Sequence, residues 1–414
     1  MRKVCLLTVL MAACFQMAAQ PAKKVLPDCP FAPLEKSRII FQGDSPSFGV
    51  FFSKLDTLMT AGKGNVRIMH IGGSHVQGGT MTRELRNDLV GLCPAPDGGF
   101  GMVFPFSAAR TNNPTGYTTR FEGEWRVSKN TQSNPEKRLG LNGMAITTGD
   151  PASSVTVSTV PRHPLAGDGT YRFDRVTVIG YSDGGGLCPV VVAAPGDTIL
   201  PVKAAGDSCM TFILRNPSDS VRVALGGRDG EFTLTGILLD NPGPGVSVTG
   251  VGVNGAALPS YAKCEDFVRD LRLVNPDLVV FGIGINDAAA ANFSPETFKR
   301  RYRDLVARIL SVNPDCALLF ITNNDSFRRV RKGYAVNPNG AVAEKVFMEL
   351  GKECNAGVFD LFDIMGGEGS MRAWEKEGLA KKDKIHFTEK GYILVGDLLY
   401  NALVDAFSEY KEGR

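Results

Sequence analysis

Four histidines, His70, His75, His163 and His386, bound the acid–base chemistry open to this chain. A serine hydroxyl becomes a useful nucleophile only beside a base, and near neutral pH imidazole is the ordinary one. Three of the four have a stronger structural reading. His70 lies inside the apolar run 66–71 and reads as a packed core residue. His163, in Pro-Arg-His-Pro, reads as a surface loop residue. His75 directly follows Ser74, and adjacent side chains on a tight turn diverge, so it reads as shaping the turn. His386 stands apart. In KKDKIHFTEKGY, Asp383 precedes it by three residues, a spacing on a turn or first helical turn that lets a carboxylate reach Nδ1 and leaves Nε2 for a hydroxyl.

The hydroxyl that fits is Ser74, in VRIMHIGGSHVQGGTMTRELRNDLVGLC at residues 66–93. An apolar strand, the pair Gly72-Gly73 and a helix with Met81, Leu85, Leu89 and Leu92 on one face put Ser74 at a strand-to-helix turn. Parallel α/β folds place chemistry there, because the turn lies at a strand's carboxyl end and the helix start offers unpaired N–H donors. Attack on a carbonyl builds an oxyanion that needs donors. Ser74 N–H is one by position. Gly255 in Val-Asn-Gly-Ala and the Asn286 amide in Gly-Ile-Asn-Asp follow later strands and could supply two more, against structural readings as a simple turn and a helix cap. Asn323-Asn324-Asp325 follows a further strand and lines the same edge without an assigned role. Gly180-Tyr181-Ser182-Asp183-Gly184 matches GxSxG, but β-type residues follow it where a nucleophile elbow needs a helix, so it reads as a hairpin turn.

The elements that must carry these residues alternate. Ser45 and Pro46 open a helix over 46–60 with Phe48, Phe51, Phe52, Leu55 and Leu58 as its apolar residues. The strand and helix of 66–93 follow. From 94 to about 245, helical periodicity gives way to short runs such as 172–180, 190–194, 210–214, 221–225 and 232–239 between Gly, Asp, Asn and Pro turns, which predicts an inserted β-sandwich or jelly roll. Strand–helix alternation resumes at 246–253, with a helix over 262–273. VNPDLVVFGIGIND and VNPDCALLFITNND then repeat one plan: a helix stopped at Asn-Pro, a buried strand, a polar turn. Ser294 and Pro295 begin the helix between them. A helix over 341–354, a strand over 358–361, a loop over 366–383 and a last helix over 389–407 complete a parallel α/β sheet. The division expected is 1–20 leader, 21–95 first part of the α/β domain, 96–245 inserted β domain, 246–414 second part.

Composition narrows the partners. With 46 basic and 43 acidic residues among 414, no basic stripe favours nucleic acid. Residues 1–20, MRKVCLLTVLMAACFQMAAQ, have the charged start, apolar run and small residues of an export signal, too short to leave a membrane span. That implies a periplasmic or extracellular protein. A lipid anchor at Cys14 is the weaker reading, since Met11 is unusual three places before it. The seven cysteines after the leader are scattered without CxxC pairs, so no zinc site is expected, and no cofactor or other metal.

Together GGSHVQGG, VNGA, GIND and DKIH, in that order, resemble the four blocks of the SGNH (GDSL) hydrolase superfamily. The resemblance implies a flavodoxin-like three-layer α/β/α core with a parallel sheet, with Ser74, Gly255, Asn286 and His386 as the block residues and Asp383 completing a Ser-His-Asp triad. The β insert, the Ser-His pair and the VNGA form are similar to the peptidoglycan O-acetylesterase group, in which a carbohydrate-module-like β domain is spliced into the catalytic one. The function implied is an exported serine esterase removing O-acetyl groups from a glycan, peptidoglycan or another polysaccharide. A glycan O-acetyltransferase using the same residues and a non-catalytic glycan-binding envelope protein are the alternatives. The family usually has Asp before its serine; here Gly73 stands there, which bears on the loop's rigidity and the site's electrostatics. The oligomeric state is not legible.

Overall fold

The computed structural model describes residues 21–92, 98–160, 171–183, 186–193, 197–204 and 208–413. The leader read in 1–20, His163 and Cys93 lie outside the described residues. No helix among the described residues is long and apolar enough to cross a membrane.

A six-stranded sheet forms the core, in the spatial order Ile39–Phe41, Gly357–Phe359, Ala317–Ile321, Leu278–Gly282, Asn65–Gly72, Gly245–Gly252. All neighbours are parallel except the antiparallel edge strand Ile39–Phe41. Numbering the parallel strands by sequence gives the order 2-1-3-4-5, the flavodoxin-like arrangement, whose ligand crevice opens where the order reverses beside the first strand. That first strand is Asn65–Gly72. Helices Pro46–Ala61, Thr80–Gly91 and Glu389–Glu412 pack together on one face of the sheet; Phe267–Val274, Pro295–Leu310 and Asn339–Glu353 pack on the other. Apolar stripes explain the layers: Phe298, Tyr302, Leu305, Val306 and Ile309 are all buried on Pro295–Leu310, whose start is capped by Ser294 Oγ accepting the Thr297 N–H at 3.2 Å.

Between the first two parallel strands the chain forms a five-stranded and a seven-stranded antiparallel sheet, which meet where Cys209–Ser218 touches Cys188–Ala193. The second sheet's Gly99–Val103 abuts the core's edge, where the Met102 N–H donates to Thr249 Oγ1 at 3.1 Å.

Several local expectations need correction. Ser45 does not cap its helix: its backbone is left-handed (φ 38°), and its buried Oγ has no partner among the described residues. The helix expected over 262–273 is two, Leu258–Ala262 and Phe267–Val274, and the loop over 366–383 contains the helix Met371–Lys376. The last helix extends to Glu412. Gly180–Asp183 is not a hairpin turn. It ends the strand Phe173–Asp183, bonded to Cys209–Ser218 and Glu231–Asp240, while the next strand, Cys188–Ala193, belongs to the other sheet. The chain changes sheets there, and Ser182 Oγ donates to Leu187 O at 2.6 Å within the crossing.

Candidate active site

Three glycines stand in register where the central strands end: Gly252 beside Gly72, and Gly72 beside Gly282. A Cβ on Gly72 would come within 2.4 Å of Val76 Cγ2 and 2.5 Å of Gly282 O; one on Gly252 would meet Gln77 N at 2.3 Å. Only bare backbone lets the short helix Ser74–Gln77 settle onto the ends of the strands. Ser74 opens that helix, so its N–H has no intrahelical acceptor.

The second partner arrives from far along the chain. Ser74 Oγ lies 2.8 Å from His386 Nε2, and His386 Nδ1 lies 2.9 Å from Asp383 Oδ2. With a carboxylate at Nδ1 the consistent tautomer keeps the proton there, so Nε2 accepts from the serine hydroxyl. Asp383 Oδ1 accepts the N–H groups of Ile385 at 2.9 Å and His386 at 3.0 Å. Burial raises the carboxyl's pKa, but the N–H and imidazole of His386 and the Ile385 N–H outweigh it and hold Asp383 below its ordinary value. Both residues lie on the loop before the last helix, not in its first turn.

Asn286 and the loop that carries Gly255 reach the residue before Ser74 from two other strand ends. Gly255 has a positive φ of 81°, which its missing Cβ permits, and Asn286 Nδ2 donates to Ala256 O at 2.9 Å. A Cβ on Gly73 would sit 3.2 Å from Ala256 O and 3.4 Å from Asn286 Nδ2, so both loops converge on the residue before Ser74 and leave little room for a side chain there. Asn286 lies inside the short helix Ile285–Ala288, and Asp287 Oδ2 accepts the Leu258 N–H at 3.0 Å, tying the two loops together. Burial pushes the Asp287 carboxyl up to about 6.

The two other histidines among the described residues are held by packing and hydrogen bonds. His70 is fully buried, with Nδ1 2.8 Å from Thr82 Oγ1, and His75 turns its Nδ1 to Tyr392 Oη at 2.9 Å while its ring lies 5.1 Å from that of His386. Burial takes both down to about 3, so both are neutral at working pH.

Two residues without an assigned role hold the site in place. Gln77 Oε1 accepts the Asn254 N–H at 2.7 Å, and Gln77 Nε2 donates to Thr111 Oγ1 at 3.0 Å and Asn112 Oδ1 at 3.1 Å. Three residues after Ser74 on one helix, it links the Ser74 helix, the Gly255 turn and a loop of the β-rich segment. Its sequence signal was a polar residue inside GGSHVQGG. Asn324 Nδ2 donates to Ile385 O at 3.0 Å, bracing the His386 loop, which is the role the Asn323-Asn324-Asp325 turn lacked.

Residues 206–394 match the model of the GDSL-like Lipase/Acylhydrolase family. The match holds Gly255, Asn286, Asp383 and His386; it starts within the β-rich segment and leaves Ser74 before it. No curated protein matches the chain. Among solved structures, one described as a peptidoglycan O-acetylesterase in action is 22% identical, covering 90% of this chain and 99% of its own, with a TM-score of 0.72, and so shares the fold. An acetyl xylan esterase is 18% identical over 38% of this chain and 81% of its own, with a TM-score of 0.30. A family two carbohydrate esterase from Cellvibrio japonicus is 12% identical over 71% and 99%, with a TM-score of 0.28.

Proposed function

We propose that this chain, a carboxylic ester hydrolase of the GDSL (SGNH) type, is exported and removes O-acetyl groups from a glycan, with peptidoglycan the first polymer to test. The observation that carries this reading is the continuous line of contacts from Ser74 Oγ through His386 to Asp383 at 2.8 and 2.9 Å, with the Asn286 amide and the loop of Gly255 reaching Gly73 beside it.

In the mechanism, Ser74 Oγ attacks the acetyl carbonyl carbon as its proton passes to His386 Nε2. Asp383 keeps the imidazole in the right tautomer and stabilises the imidazolium. The oxyanion is received by the N–H groups of Ser74 and Gly255 and the Asn286 amide, each donor worth roughly 3–4 kcal/mol of barrier in comparable sites. Collapse expels the sugar oxygen, which takes the proton from His386. A water molecule, deprotonated by the same imidazole, then attacks the acetyl-serine; collapse breaks the bond to Ser74 Oγ, which takes the proton back from His386 Nε2, and acetate leaves. The β-rich segment, joined to the Gly255 turn through Gln77, would help hold the polymer.

The test is acetate release by wild type and Ser74→Ala from acetylated peptidoglycan, acetylated xylan and 4-nitrophenyl acetate. Loss of the hydroxyl should lower kcat by about 10⁴-fold or more. Unchanged turnover removes Ser74 from the mechanism, and no acetate from any substrate with the wild type overturns the reading.

A further inference from the structure

Between Ala317–Ile321 and Asn339–Glu353 the chain extends a separate two-stranded hairpin, Phe327–Val330 paired antiparallel with Gly333–Val336. Its outer part reads Arg328-Arg329-Val330-Arg331-Lys332-Gly333-Tyr334, every residue exposed. Among the described residues none of its four cations is in an ion pair, although ion pairs are common elsewhere on the surface. The chain as a whole is nearly balanced, 46 basic against 43 acidic residues, so this is a local excess.

Both feet of the hairpin stand on loops of the candidate site. The Phe327 N–H donates to Lys384 O at 3.0 Å, two residues before His386. At the other foot Asn337 donates through its N–H to Ser326 O at 2.9 Å and through Nδ2 to Ala288 O at 3.1 Å, two residues after Asn286. Tyr334 is 42% exposed, with the Lys384 ammonium 5.7 Å from its ring centre, and Val330 is 40% exposed. Lys381 and Lys382 are exposed beside Asp383. An isolated hairpin is marginal alone, and charges on its edges guard against strand addition. Charges of either sign would do that. Four cations beside an exposed aromatic ring, rooted between the loops of His386 and Asn286, have the chemistry of a carboxylate-binding surface with a face for a sugar ring.

We propose that this hairpin is a substrate arm that binds carboxylates of an acidic acetylated glycan, so that the enzyme prefers such polymers to neutral ones. The inference rests on the acetylesterase reading. The carboxylates have two sources, uronic acids in the backbone or peptide branches on it, and the substrates below separate them.

The test compares wild type with a variant combining Arg328→Ser, Arg329→Ser, Arg331→Ser and Lys332→Ser, and with one in which the three arginines become lysine. Substrates are acetylated polygalacturonate, acetylated peptidoglycan with free or amidated peptide carboxylates, neutral acetylated xylan and 4-nitrophenyl acetate. Wild type should show kcat/KM about tenfold or more higher on a carboxylate polymer at about 50 mM salt, shrinking at about 0.5 M. The serine variant should lose that preference through KM, the lysine variant should keep most of it, and 4-nitrophenyl acetate should be cleaved equally by all three. Equal rates on acidic and neutral polymers, or a preference that survives in the serine variant, overturns the arm. If the wild type releases no acetate at all, the esterase reading fails; binding of unacetylated polygalacturonate and of peptidoglycan by wild type and serine variant then decides the arm alone, and equal binding rejects it.

Discussion

The candidate site has a dry half and a wet half, built by different physics. Ser74 is set by backbone fit: in-register glycines admit its helix, and neutral His70 and His75 fill the space around it. His386 and Asp383 are set by hydrogen bonds on a loop, with side chains 30% and 42% exposed, fixed by the loop's own N–H groups and by Asn324. A hydroxyl placed by packing tolerates no added atom, whereas an imidazole–carboxylate pair placed by hydrogen bonds tolerates volume but not a change of donor or acceptor. The two halves should therefore fail differently.

Of the two substitutions that separate the halves, the one in the wet half should have the larger effect on kcat. Asp383→Asn preserves the side chain's size but reverses the donor–acceptor match at Nδ1, so kcat should fall by about 10⁴-fold while the protein stays folded, its unfolding midpoint lowered only by the loss of the carboxylate's charge. A loss under about tenfold would show that the carboxylate does not hold the tautomer. Next comes the dry half. Gly252→Ala forces a Cβ to within 2.3 Å of Gln77 N, and should cost roughly 1–3 kcal/mol in denaturant unfolding, with activity falling as Ser74 shifts. Should that variant be as stable as wild type while Asp383→Asn unfolds, the contrast is reversed.

The last contrast is seen only on acidification. For His70 and His75 the folded pKa of about 3 lies below the ordinary 6.5, so the unfolded chain binds more protons and stability falls as pH drops from about 6.5 toward 3. Asp383, held below its ordinary value, contributes stability above about pH 4 and loses it only as pH falls through its lower folded pKa. Denaturant midpoints against pH should thus slope well before the carboxylate range is reached; a flat line down to about pH 4.5 would count against the buried, neutral histidines.

Much of this was legible because it is local. The DxxH spacing at 383–386, the strand–glycine–helix pattern around Ser74 and the two Asn-Pro stops each fit inside one short window, and Asn275 does end its helix, left-handed at φ 42° with its N–H on Leu271 O at 2.7 Å. What stayed hidden depends on partners far away in sequence. Gln77 and Asn324 are unremarkable polar residues until folding brings Asn254 and Ile385 beside them. Ser45 had the right residue type for a cap, but its left-handed backbone turns the hydroxyl away. The change of sheet after Asp183 could not be told from a hairpin, because turn residues look the same whether a chain doubles back on its neighbour or crosses over.

Residues 73–244 intervene between two strands that pair directly, Asn65–Gly72 and Gly245–Gly252. During synthesis the first of these emerges with an apolar edge and no mate, and it must wait for most of the polymer to be made. The antiparallel segment ties its own ends: the Gly98 N–H donates to Val246 O at 3.1 Å and the Asn241 N–H to Gly98 O at 3.3 Å. With residue 98 held against residues 241 and 246 in this way, the pairing of Asn65–Gly72 with Gly245–Gly252 spans a far shorter effective loop than the sequence separation implies, and the entropy of closing it is correspondingly smaller.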